Sequence, residues 1–279
     1  MSDQAFATIN NVPVTSGGII NATDPLAFKI TSKDKKTSVT WALTVKTDLE
    51  EYGLGSNVTG DKSLSRAYDY YFDQFDGSTY QSINCGPTVT TMAIKWADAT
   101  YAQKPADARN EIRPMGGWWY TSDIDQFLSK NGISHTYIDL PNTEGVVKSM
   151  IDKNYLLILC LDMFYVDLNT LSIQHTNKFY NTTAPDWGHF LLVKGYKQVD
   201  SKFYLEINDP YSDDKYYPAP LNNQLKGKSR YYLSTAIKKG TDVWWRYAIV
   251  VAEKGKTVVL PLGTKKINNV SAIPRAMGR

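Results

Sequence analysis

The spacing of apolar residues changes period along the chain. From Thr37 to Thr47 (TSVTWALTVKT) Val39, Trp41, Leu43 and Val45 recur at every second position, which loads one face of a strand. With the turn signals Asn10-Asn11, Gly17-Gly18 and Asp24-Pro25, this predicts a small β-rich extension over residues 1–60. In DKSLSRAYDYYFDQFD, Leu64, Tyr68, Tyr71 and Phe75 then follow at intervals of three and four, predicting a helix capped by Asp61 and ended by Gly77. A second helix is predicted from Cys85 through TVTTMAIKWADATYA, with Val89, Met92, Ile94 and Trp96 to pack. Thr121 or Ser122 precedes a third, DIDQFLSK, and Asn131-Gly132 supplies its left-handed stop.

After the strand ISHTYIDL, Asn142 or Thr143 caps a helix through Ile151. Leu156 to Met163 (LLILCLDM) is a continuous apolar run suited to a buried strand. Three further strands are predicted at His189 to Tyr196, Lys202 to Asp209 and Trp244 to Ala252. Helices first and strands afterwards predict an α+β domain, helices packed on an antiparallel sheet, over residues 61–254. A polar tail containing Pro and Gly occupies 255–279.

Composition narrows the chemistry. The 279 residues carry 31 Lys+Arg against 28 Asp+Glu, a net charge of +3. That is not the concentrated basic footprint of a nucleic-acid binder. No apolar run reaches the ~18 residues of a membrane span. The start, MSDQAFATINNVPVTSGG, lacks a basic segment followed by an apolar run. Two readings follow, a cytoplasmic chain or a bacterial secreted chain in its mature form, and 19 Tyr with 2 Cys suit the second. Two Cys and three His build neither a disulfide framework nor, at these spacings, a zinc site, and no cofactor or metal is expected. Asp209, Asp213 and Asp214 share one turn, but without EF-hand spacing they read as solvated carboxylates rather than calcium ligands. Lys33 to Lys36 reads as a solvated turn.

Cys85 lies where a polar loop turns into an apolar-patterned helix. There the unpaired N–H groups and the positive end of the helix dipole favour a thiolate. Gly86 permits close approach of a substrate, and Pro87 suits a first helical turn. A buried structural cysteine would fit the same local pattern. A thiol nucleophile needs a base and a group that orients the base. His135 lies within a strand and His175 in a polar loop, whereas His189 opens a strand whose hairpin partner ends in Asn208-Asp209-Pro210. An antiparallel hairpin brings the start of its first strand beside the end of its second, making His189 and Asp209 neighbours. Cys160, within the apolar run, reads as core. Trp118, Trp119 and Trp187 are candidates for the substrate cleft, against the alternative of core and rim packing, which is also the reading of Trp244 and Trp245.

NCGPTVTTMAIKWA, GHFLLVKGY and INDPYS, in that order, resemble the Cys-Gly-Pro helix, the Gly-His strand and the Asp-Pro strand end of papain-like cysteine peptidases. Within these, the likeness is to the group related to bacteriocin-processing, double-glycine leader peptidases, and it covers about residues 62–252. The resemblance implies a papain-like fold with Cys85 as nucleophile, His189 as general base and acid, and Asp209 as orienter of the imidazole. It also implies a Gln before the Cys as oxyanion donor, for which Gln81 is the nearest upstream, and a peptide or protein substrate. The same triad serves glutamine deamidation, transglutamination or thioester hydrolysis, and a catalytically silent binding protein is the alternative of another class. Residues 1–60 read as a fixed β extension or, alternatively, as a propeptide.

Overall fold

The computed structural model describes residues 5–15, 26–43, 50, 52–218 and 224–268. Gly17-Gly18, Asp24-Pro25, Thr44 to Thr47 of the alternating run and the tail beyond residue 268 lie outside them. The chain divides into two compact units, Met1–Glu51 and Tyr52–Arg279.

In the first unit, β1 (Phe6–Ile9), β2 (Val12–Pro13), β3 (Leu26–Thr31) and β4 (Ser38–Leu43) form an antiparallel sheet in the order β2-β1-β3-β4. Asn10 and Asn11 both have positive φ, 48° and 67°, as a two-residue hairpin turn requires. The alternation in β4 places Val39 opposite Ile30 and Trp41 opposite Phe28, a row of apolar pairs on one face.

The second unit holds β5 (Val58–Ser63), α1 (Cys85–Ala97), α2 (Pro105–Ile112), α3 (Thr121–Lys130), β6 (His135–Asp139) and α4 (Thr143–Asp152). There follow β7 (Leu156–Asp162), β8 (Gly188–Val199), β9 (Lys202–Asn208), β10 (Arg230–Leu233), α5 (Ser234–Val243), β11 (Tyr247–Val251) and β12 (Lys266–Ile267). Its sheet runs β10-β9-β8-β7-β11-β6-β12, with β5 also paired to β8, and all these strand pairings are antiparallel. The class is α+β, helices packed against an antiparallel sheet, as expected.

Every residue of β7 is buried, which is why LLILCLD carries no alternation. Phe190, opposite Cys160 across the β7–β8 pair, meets α1 at Gly86, whereas Leu161 meets α5 at Gly240. Since neighbouring strand residues face opposite ways, α1 and α5 cover opposite faces of the sheet. Eleven residues of α1 are buried, making it the central helix, with α2 and α3 both packed against it.

The helix predicted over residues 61–76 is absent. Asp61 to Ser63 belong to β5, and from Leu64 to Tyr80 the chain is irregular. Asp69, Asp73 and Asp76 each accept the backbone N–H two residues ahead, from Tyr71, Phe75 and Ser78. Two of these local turns take backbone donors inside the predicted helix, and the third follows its predicted end. The remaining predicted helices and strands of this unit are present, while β5, α2, α5, β10 and β12 carry no strong sequence signal.

Candidate active site

The β8–β9 hairpin closes through Asp200 and Ser201, both at positive φ (48° and 63°), between the paired residues Val199 and Lys202. Its open end pairs Leu192 with Asn208, so His189 and Asp209 lie together just beyond. The His189 Nε2 to Asp209 Oδ1 distance is 2.8 Å. A carboxylate only accepts, so Nε2 carries the proton. That leaves Nδ1 as the unprotonated nitrogen, and Cys85 lines the same cavity as the ring.

Cys85 is the first residue of α1, after the three-residue helical turn Gln81–Ile83 and the cap residue Asn84. Its backbone N–H is one of the first-turn donors that the helix itself leaves unpaired. Gly86 is required by packing, since a Cβ there would sit 2.5 Å from the Trp119 Cβ.

Asp209 is fully buried and its carboxylate is saturated with donors. Oδ1 accepts from His189 Nε2 and from the Tyr211 N–H at 2.9 Å, and Oδ2 accepts from the hydroxyls of Tyr180, at 3.0 Å, and Tyr232. Burial disfavours a charged His189, but the adjacent Asp209 carboxylate outweighs it, and with the Cys85 thiol raises the imidazole to about 10. Tyr180 and Tyr232 are pushed well up by burial and by the same carboxylate, which keeps them as neutral donors. Tyr180 stacks on Tyr211 at 4.1 Å, and both rings present edges or faces to His189.

The strand start is fixed from below by Asp162, whose carboxylate accepts the N–H groups of Phe164, Asp186 and Trp187. Opposite, the irregular segment before Gln81 is fastened to the Asp209 turn. Tyr71 donates to the Asp209 carbonyl at 2.8 Å, Gln74 N–H to the Pro210 carbonyl at 2.8 Å, and Ser212 N–H to Asp73 Oδ1 at 3.0 Å.

Cys85 and His189 open onto a cavity of about 390 Å³ walled by Phe75, Ile83, Trp118, Trp187 and Tyr211, with Gln74 and Ser82 as polar members. Trp118 and Trp187 line this cavity. Trp119 does not: it is 1% exposed and packs on Phe127 and against Gly86, as a core residue. Gln81 is likewise not in the wall. Its Oε1 accepts from the Gly77 N–H at 2.9 Å, while its carbonyl accepts from Gln74 Nε2 at 3.0 Å. The carbonyl acceptor fixes the Gln74 amide with its nitrogen toward Gln81, and the Gln74 side chain contributes to the cavity wall. Gln74, eleven residues before Cys85, was concealed by the helical spacing of the segment that contains it.

The other histidines are occupied elsewhere. His135 bonds Asp125 and the Ile133 carbonyl, and His175 lies between the rings of Tyr52 and Tyr217, where burial and then Arg230 hold it down to about 4. Cys160 is buried in β7 and its thiol is pushed well up by burial, the reverse of an activated sulfur. Asp213 and Asp214 are exposed, Asp213 pairing with Lys215. Among the described residues no cluster of His, Cys, Asp and Glu is grouped to hold a metal ion, and no helix is long and apolar enough to cross a membrane.

No family model matches the chain, and no curated protein does. Among solved structures, the chain is similar to the peptidase domain of Streptococcus ComA, a bifunctional ABC transporter involved in a quorum-sensing pathway. The identity is 16%, over 66% of this chain and 98% of that one, with a TM-score of 0.38. It is also similar to a Bacillus anthracis protein described as a C39-like peptidase, at 15% identity over 71% of this chain and 100% of that one, with a TM-score of 0.40.

Proposed function

We propose that the chain is a papain-type thiol hydrolase that cleaves a peptide or amide bond through an acyl-enzyme. The observation that carries this reading is the buried imidazole of His189, with the Asp209 carboxylate on one ring nitrogen and Cys85 lining the same cavity.

In this reading His189 takes the Cys85 proton, and the thiolate attacks the substrate carbonyl carbon. The π electrons pass to oxygen, where the Cys85 backbone N–H and the free N–H of Gln74 Nε2 receive them. Each such donor contributes roughly 10²–10³ in turnover in studied enzymes. The carbon–nitrogen bond then breaks as His189 returns its proton to the leaving amine. Water, deprotonated by His189, attacks the thioester and expels Cys85 as thiolate. Asp209 holds the ring so that Nδ1 faces sulfur throughout. The substrate is a neutral stretch of polypeptide, since His189 is the one ionisable side chain besides Cys85 and Tyr211 in the cavity wall.

The test is alkylation by iodoacetamide at pH 6 followed by peptide mapping, together with a scan of peptide cleavage. Selective modification of Cys85 over Cys160, lost in His189→Ala, and cleavage lost in Cys85→Ala, are expected. Equal inertness of both thiols would overturn the reading. A reactive Cys85 that releases ammonia from glutamine without cutting any peptide would replace it by deamidation.

A further inference from the structure

Arg109, on α2, is 2% exposed, and all three of its hydrogen bonds go to uncharged groups beside Cys85 and the cleft wall. Nε donates to Asn84 Oδ1 at 2.8 Å, Nη2 to the Ile83 carbonyl at 3.1 Å and Nη1 to the Gly117 carbonyl at 2.6 Å. Two of these partners immediately precede Cys85, and the third immediately precedes Trp118. The guanidinium therefore ties the entry of α1 to the loop that carries the cleft wall.

A buried cation is costly unless an anion compensates it, and among the described residues Arg109 has no carboxylate partner. The nearby acids are engaged elsewhere: Asp123 bonds Arg113 at 2.7 Å and the Tyr120 N–H, Asp107 caps α2, and Glu111 pairs with Lys130. The ionisable groups whose fields reach Arg109 are Cys85, Arg113, Asp123 and Tyr80, the ring of the last lying 5.8 Å from the guanidinium. With Arg113 and Asp123 cancelling, one positive charge is left over, and Cys85 is the group that can answer it.

We infer that Arg109 is a positioning residue that sets the Cys85 turn and stands behind it as the counter-charge for its thiolate. The inference rests on Cys85 being the nucleophile proposed above. His189 supplies a movable proton on one side of the sulfur. Arg109 supplies a fixed charge behind the turn that leads into Cys85, which survives the step in which His189 gives its proton to the leaving amine and loses its own charge. A standing cation would keep the leaving thiolate stabilised during hydrolysis of the acyl-enzyme, when Cys85 must depart.

The experiment compares wild type with Arg109→Met and Arg109→Lys. It uses alkylation of Cys85 against pH, with neutral iodoacetamide and anionic iodoacetate, and circular dichroism to establish folding. For Arg109→Met the pH midpoint of alkylation should rise by about one unit, leaving about tenfold less reactive thiolate on the acid side. Arg109→Lys, which keeps the charge but not the three-way fork, should hold the wild-type midpoint while kcat falls. A wild-type alkylation profile in folded Arg109→Met overturns the inference. Should that variant not fold, His189→Ala decides. At about pH 9, where a thiol without its imidazole partner still alkylates, its Cys85 should favour iodoacetate over iodoacetamide several-fold relative to a free thiol, and loss of that preference overturns the inference. Neither result touches the hydrolase reading, which stands or falls on the His189-dependent reactivity of the wild type.

Discussion

Tyr232→Phe removes a single oxygen from a place that water does not reach. Tyr232 and Asp209 are each 0% exposed, and Asp209 Oδ2 has two donors, the hydroxyls of Tyr232 and Tyr180. A hydrogen bond to a charged group contributes about 1.5–3 kcal/mol, so each of Tyr232→Phe and Tyr180→Phe should lower stability by that order. The rings keep their packing, so no cavity larger than an oxygen adds to the loss. Both hydroxyls serve one oxygen, and after a single substitution the surviving donor still satisfies part of it. The double variant leaves Oδ2 bare inside the protein and should therefore cost about 0.5–3 kcal/mol more than the sum of the singles. The assay is equilibrium urea unfolding at pH 7 followed by tryptophan fluorescence, run beside the rate of Cys85 alkylation. That rate should fall in the same order as stability if the carboxylate holds the His189 ring. Singles within about 0.5 kcal/mol of wild type, and a double that is merely additive, would refute the claim that these tyrosines hold a buried carboxylate.

Three further outcomes follow from the same geometry. Gln74→Ala should lower kcat by roughly 10²–10³ with KM little changed, whereas Gln81→Ala should act weakly because its carbonyl, not its side chain, holds Gln74; equal losses from both would reverse that assignment. Gly86→Ala forces a Cβ to within 2.5 Å of the Trp119 Cβ and should cost about 1–3 kcal/mol by overpacking, read as a melting temperature lower by about 5 °C; an unchanged midpoint would show that Trp119 yields freely. His189 is raised in the folded protein to about 10, from an ordinary value of 6.5. Its contribution to stability is thus complete below about pH 6.5 and is lost as pH rises from there through about 10. Urea midpoints of the wild type should fall across that window and those of Asp209→Asn should fall less, so parallel curves would refute the ion pair as the cause.

What the sequence discloses about this site depends on how far apart in the chain the cooperating groups lie. The start of α1 at Cys85 is signalled by the residues around it, and the His189–Asp209 contact is set by a hairpin whose turn and strands span 21 consecutive residues. Both are local, and both were legible. The segment from Asp61 to Asp76 was misread because its apolar spacing is helical while its aspartates satisfy the backbone in turns. Spacing reports which side chains seek cover; it does not report that short acceptors have already taken the backbone donors. That same error hid Gln74, which reaches the cleft only because the segment is a loop pinned to Pro210.

The paired tryptophans show the limit from another side. Trp118 and Trp119 are adjacent and chemically identical, yet one walls the cavity and the other is core. Between Gly117 and the extended Tyr120 (φ −109°, ψ 171°) the chain carries no helix, and in extended backbone consecutive side chains point to opposite sides. Sequence could establish that one of the two faces inward. Which one depends on where Gly117 is held, and the Gly117 carbonyl is held by Arg109, a residue of another element. The register of the cleft wall, like the charge behind Cys85, is thus decided by a buried guanidinium whose sequence neighbourhood, PADARNEI, is polar and gives no sign of that role. A substitution at Arg109 should therefore disturb Trp118 and Cys85 together, and tryptophan fluorescence recorded during the alkylation experiment would register the first while the pH midpoint registers the second.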